Sequence, residues 1–160
     1  MHYIIRAATK FDAKNMAFRL RQEDAREIRS ATGKAPYEIL PDCVVPEKTF
    51  VLHVSFSKDY PGSLLALFGV CPFPDKERVG IPWMVATPLL VRHQIYILRN
   101  SKKWIDTLAA DYDLLINCVD ARNEVHIKWL KWCGFTFTQL HAEWGHDKLP
   151  FWQFEKTTNV

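Results

Sequence analysis

Residues 112–135, YDLLINCVDARNEVHIKWLKWCGF, carry the reading that decides the fold. From Asp113 to Val119 the chain places Leu, Leu, Ile, Cys and Val in one run, long enough for a buried parallel strand and too short for a core helix. Asn123 then opens a helix in which Ile127, Leu130, Trp129 and Cys133 recur at helical spacing. Gly134 stands where a left-handed C-terminal residue is wanted, and Phe135-Thr136-Phe137-Thr138 starts a new β run. An ordinary strand-helix unit of no special function shows the same pattern.

Working outward, Ser101 to Ala110 reads as the helix that leads into this unit, and Gly80 to Val91 as a β run before it. Thr49 to Phe56 and Ser63 to Val70 form a hairpin around Lys58-Asp59-Tyr60-Pro61-Gly62, whose Pro-Gly is a turn signal; Cys71 to Val79 is a loop. At the N-terminus, Tyr3-Ile4-Ile5 is a short strand. Thr9 and Asp12 make a capping box before Ala13, Met16, Ala17 and Leu20 at helical spacing. A second helix runs from about Gln22, with Ala25, Ile28 and Ala31 on one side and Gly33 as its stop. Pro36, Pro41 and Pro46 predict an extended or looped connection over Lys34 to Lys48. Pro150 to Phe154 is a candidate last strand, and Lys156 to Val160 a loose tail.

The 160 residues fit one domain, 1–160, large enough to bury about 70% of the surface an unfolded chain exposes. A hydrophobic content of 48%, with 13% of the chain aromatic and six residues tryptophan, excludes general disorder. The formal charge of +3, with acids and bases interleaved, argues against a nucleic-acid partner. Cys43, Cys71, Cys118 and Cys133 lack CxxC spacing and read as free thiols of a reducing compartment, with no metal site. His141, Glu143, His146 and Asp147 are of types that suit zinc, but a turn around Trp144 and Gly145 explains them better. The charged first thirty residues do not read as a secretory signal, and Ile81 to Val91 falls short of the roughly 20 residues of a membrane span. A soluble intracellular protein is expected.

The order β, α, α, β, β, β, α, β, α, β, with an Asn opening the last helix and Gly-Phe eleven and twelve residues later, resembles the GNAT family of N-acyltransferases. That resemblance implies an α/β fold: a twisted mixed sheet of six or seven strands, flanked by about four helices, with a splay between the Gly80 and Asp113 strands. More narrowly, IIRAAT, LRQEDAREI, GIPWMVAT, RNSKKWID, VDARNEVHIKWLKWCGF and PFWQF resemble the small GNAT-like proteins among the virion-associated products of T7-type podophages. This implies a phage protein acting mainly by binding, in virion assembly or on a host target. Its place would be the cytoplasm of the infected bacterium or the virion, its partner a phage virion or host protein. The alternative is an active acetyltransferase that uses acetyl-CoA to modify an amine.

The family pattern holds the acetyl-CoA pyrophosphate in a glycine-containing loop at a helix start, and residues 91–103 contain no glycine. Weak or absent acetyl-CoA binding is therefore expected. Ser101 as N-cap, with Arg92, Arg99, Lys102 and Lys103 as cations and Asn123 on the last helix, is the candidate cofactor site. The family's general acid, a Tyr seven residues beyond the Asn, corresponds to Leu130, which has no proton to give. Glu27 and Asp24, on the second helix, are the candidate bases. Trp129 and Trp132 cannot both turn inward together with Leu130 and Cys133, so they are the candidate partner-binding residues.

Overall fold

The computed structural model describes residues 1–57, 59, 60 and 62–158. Strand β1 (His2–Ala7) leads into helix α1 (Lys10–Ala17), started by the Thr9–Asp12 capping box. Asp12 also takes a bidentate bond from Arg6, and that guanidinium holds its carboxyl down to about 2. Helix α2 (Gln22–Thr32) ends on Gly33 at φ 72; a Cβ there would lie 2.6 Å from the His146 ring, so glycine is required twice over.

The Lys34 to Lys48 connection corrects the expectation of an extended segment. Pro36 takes the first position of a one-turn helix, α3 (Pro36–Ile39), where its missing N–H costs nothing, and the Glu38 carboxylate accepts from Ala35 N at 2.8 Å. A 3₁₀ turn, Leu40–Cys43, follows.

Strands β2 (Thr49–Ser55) and β3 (Ser63–Pro72) pair antiparallel, with a register slip at Leu52/His53 that leaves Leu65 as the extra residue. Their turn places Gly62 at φ 67, while Lys58 and Pro61 lie outside the described residues. Strand β4 (Val79–Ala86) ends sooner than expected. Thr87, its hydroxyl donating to Leu64 O at 2.9 Å, turns the chain away into a 3₁₀ turn, Pro88–His93, that runs straight into helix α4 (Gln94–Ala109). The helix therefore starts well before Ser101. Strand β5 (Leu114–Asp120), helix α5 (Glu124–Trp132), strand β6 (Thr136–Trp144) and strand β7 (Leu149–Thr157) complete the chain. Lys156 and Thr157 belong to β7 rather than to a loose tail; Asn159 and Val160 lie outside the described residues.

The seven strands form one sheet in the order β1-β2-β3-β4-β5-β7-β6, antiparallel except for the β4/β5 pair. The last strand is an interior one, inserted between β5 and β6. Two apolar layers cover the sheet. Ala13, Met16, Leu40, Val51 and Leu67 pack on the α1 to α3 side, and Phe68, Ile97, Ile105, Leu115 and Leu130 on the side of α4 and α5.

The expected splay is present. β4 and β5 pair only at Val79↔Leu114 and Gly80↔Leu115, then separate. Pro82 is the chemical reason: it has no N–H to donate toward β5, and its carbonyl is met by the Asn117 side-chain amide at 2.8 Å. At the pairing itself the strands touch closely. A Cβ on Gly80 would sit 2.7 Å from Val70 Cγ2 and 3.0 Å from Leu115 Cδ2. Gly80→Val should therefore destabilise the fold by about 1–3 kcal/mol in urea titration through overpacking, and an unchanged midpoint would show that β4 and β5 can separate freely at this point.

Candidate functional site

Helix α2 lies across the mouth of the splay and meets it with three polar residues at spacing three, Asp24, Glu27 and Ser30. Asp24 is 3% exposed, accepts two bonds from Arg21 (2.8 and 3.0 Å) and one from Ala86 N (2.8 Å). Arg21 N donates to Ala86 O at 2.8 Å, so both main-chain groups at the end of β4 are satisfied by α2. Burial raises the Asp24 pKa, with the Arg21 charge opposing. Across the gap, Asp120 ends β5 fully buried. Burial pushes its carboxyl up, but Arg122, bonded to it at 2.5–3.1 Å, prevails and leaves its pKa lowered. Arg122 also donates to Ser30 Oγ at 3.3 Å.

Glu27 stands between these two neutralised carboxylates and, among the described residues, has no cation bonded to it. Its Oε2 accepts from Asn123 Nδ2 at 3.1 Å. Burial raises its pKa to about 7, against the pull of the Asn123 bond, and the charges of Asp24 and Asp120 add to the rise. The carboxyl thus titrates well above the usual carboxylate range, near neutral pH. Asn123 is held in turn as the N-cap of α5, its Oδ1 accepting from His126 N at 3.3 Å.

Two cavities meet at the splay. The inner one, about 230 Å³, is walled by Glu27, Trp83, Asn117, Leu130 and Trp144 among mostly apolar groups. The outer groove, about 260 Å³, runs between the end of β4, the start of α4 and α5, with Arg21, Leu90, Gln94, Lys128 and Trp132 in its walls. Met84, His126 and Trp129 belong to both. On β4 the main-chain groups of Pro82 and Ala86 face the splay, and strand alternation turns the amide and carbonyl of Met84 the same way. The gap therefore offers a donor and an acceptor at the junction of the two cavities.

The sequence-derived candidates divide. Asp24, Glu27 and Asn123 come together at the splay, though Asp24 is engaged in holding α2 to β4. Trp129 and Trp132 both line the outer groove: Trp129 Nε1 donates to Ser101 Oγ at 2.9 Å, while Trp132 is 53% exposed with the Lys102 ammonium 4.7 Å above its ring. Ser101 is corrected. It lies inside α4, fully buried, its hydroxyl bonded to Ile97 O at 2.5 Å, so it caps nothing and cannot meet a phosphate. Arg99, Lys102 and Lys103 accordingly lie on exposed turns of α4 away from its start, and Arg92 is exposed in the 3₁₀ turn beside groove residues Val91 and Gln94. Leu130 points into the inner cavity and the core. His126, Lys128 and Gln94 went unread as site residues. His126 follows the cap Asn123 by three, which is the signal that could have found it.

No family model and no curated protein matches the chain. Solved structures do, at low sequence identity. An acetyltransferase of the GNAT family from Bacillus anthracis superposes with a TM-score of 0.70 at 10% identity, covering 100% of this chain and 97% of its own. The ribosomal-protein-alanine N-acetyltransferase of Brucella melitensis gives 0.67 at 16%, covering 96% and 99%. The spermidine N-acetyltransferase of Vibrio cholerae, solved with CoA and spermine, gives 0.60 at 14%, covering 98% and 95%. The chain has the mixed α/β fold of these GNAT acetyltransferases.

The buried carboxyl makes stability depend on pH. Glu27 titrates near 4.5 when unfolded and about 7 when folded, so below 4.5 both states are protonated and no penalty arises. As pH rises through that window the unfolded chain gives up its proton first, and stability falls relative to a variant without the carboxyl. Glu27→Gln should match the wild type near pH 4 and exceed it by roughly 1–3 kcal/mol at pH 8. A difference between the two proteins that is flat in pH would sink the assignment.

Proposed function

We propose that the chain is an acyl-CoA-dependent N-acyltransferase in which Glu27 is the general base. The observation that carries this reading is a carboxyl poised near neutrality in the wall of the inner cavity, oriented by the N-cap of α5 and flanked by two carboxylates that already have arginine partners. The GNAT fold supports it, as do the solved neighbours described with CoA and spermine or named for alanine acetylation.

In this reading the thioester arm of acetyl-CoA lies in the outer groove, where the Met84 amide can hydrogen-bond its carbonyl oxygen. The acceptor amine enters from the inner cavity beside Glu27. The carboxylate takes the proton that nitrogen sheds as it attacks the thioester carbon. Lys128, with Gln94 on the α4 side, serves the phosphate end in place of a glycine loop.

A second reading, a chain that uses the same groove to bind a phage virion or host protein, has its own support. In the groove wall Val125 is 69% exposed beside the half-exposed Trp132, and the resemblance to podophage proteins implies a partner in the infected cell or the particle. Calorimetry separates the two. The acyltransferase reading expects saturable acetyl-CoA binding weakened several-fold by Lys128→Ala. It also expects N-acetylation of amines whose rate rises through about pH 7 and drops about a hundredfold or more in Glu27→Gln with binding retained. Absence of acetyl-CoA binding at millimolar concentration would leave the protein-binding reading standing.

A further inference from the structure

The acyltransferase reading lacks a group to assist the departing sulfur, because Leu130 occupies the place where the family pattern has a phenol. His126 lies four residues earlier, one helical turn up α5 on the same face. Leu130 lines only the inner cavity, whereas the His126 ring lies in the walls of both. Its Nδ1 is buried and has no hydrogen-bond partner among the described residues, an expensive condition for a polar atom unless a ligand completes it. The ring is fixed: it packs against the Trp129 indole with centroids 5.5 Å apart, and its helix is tied to α2 through Asn123. Burial, with the Arg21 charge adding, lowers its pKa to about 4, so the imidazole is neutral and carries one N–H.

We propose that His126 is the hydrogen-bond donor to the sulfur of the bound thioester, taking over the task that Leu130 cannot perform. This rests on the acyltransferase reading. The C–N bond forms as the amine attacks, its proton passing to Glu27. The C–S bond breaks with its electron pair on sulfur, and the thiolate leaves hydrogen-bonded to the imidazole N–H, acquiring its proton from water afterwards. The neutral ring lends its N–H without giving up the proton, so the imidazole stays uncharged while the negative charge develops on sulfur.

The test compares binding of CoA and desulfo-CoA at about pH 9, where part of the free thiol is ionised and the bound thiolate can be selected. The wild type should prefer CoA by about tenfold or more, and His126→Gln and His126→Asn should each reduce that preference to near unity. With acetyl-CoA, the same variants should lose turnover by about tenfold or more while affinity for acetyl-CoA stays unchanged. Should neither variant fold, the ¹⁵N resonances of His126 in the wild type should shift with CoA and stay in place with desulfo-CoA. CoA binding without a preference for sulfur, a preference that survives both substitutions, or His126 resonances indifferent to sulfur would overturn the donor role alone. Failure of both ligands to bind overturns it together with the acyltransferase reading.

Discussion

When two parallel strands part, the main-chain groups between them lose their partners, and a folded chain must supply others. Everything distinctive in this molecule follows from how that is done. Asp24 and Arg21 close the end of β4, the Asn117 amide meets the Pro82 carbonyl, and Arg122 joins Asp120 at the end of β5 to Ser30 on α2. Helix α2 thus braces both edges of the gap from one polar face. The stretch around Met84, between those two points on β4, is where a ligand would find both a donor and an acceptor.

The same arrangement sets the charges. Three carboxylates crowd the mouth of the splay, and two have a guanidinium each. The third, Glu27, receives the neutral amide of Asn123, a main-chain bond from Asp120 and the repulsion of its neighbours. Ionising all three at once is the unfavourable state, so the unpaired one holds its proton to a higher pH. A base tuned to neutrality arises here from where the arginines are, with no special feature in the glutamate itself.

The strand, turn and helix of residues 112–135, the capping box at Thr9 and the Gly33 stop were all legible, because each has a local chemical signature; the splay was expected only from the family resemblance. The start of α4 was not. Leu89, Leu90 and Val91 continue the apolar run of β4, and an apolar run does not distinguish strand from helix; the overlooked sign was Thr87-Pro88, an N-cap followed by proline. Ser101 misled because a serine hydroxyl serves an N-cap and an i−4 carbonyl equally well. In the candidate site, Asp24 and Glu27 stood out as candidate bases through the family resemblance, since the residues alone show only the polar side of a helix and cannot say that it faces strand ends rather than water. His126 escaped for a related reason: its significance lies in two cavities that exist only once α5 is packed.

The far end of α2 is held as firmly as the near one. The β6–β7 turn donates His146 N to Ala31 O at 3.1 Å and Asp147 N to Ser30 O at 3.0 Å, and Gly145 sits so close to Ala31 that a Cβ would approach its Cα to 2.7 Å. A helix anchored at both ends cannot swing aside like a hinged door. Whatever enters the inner cavity must pass an aperture of fixed outline, so discrimination among ligands on this side would be a matter of rigid shape, with traffic governed by size at the threshold rather than by the tempo of a moving gate.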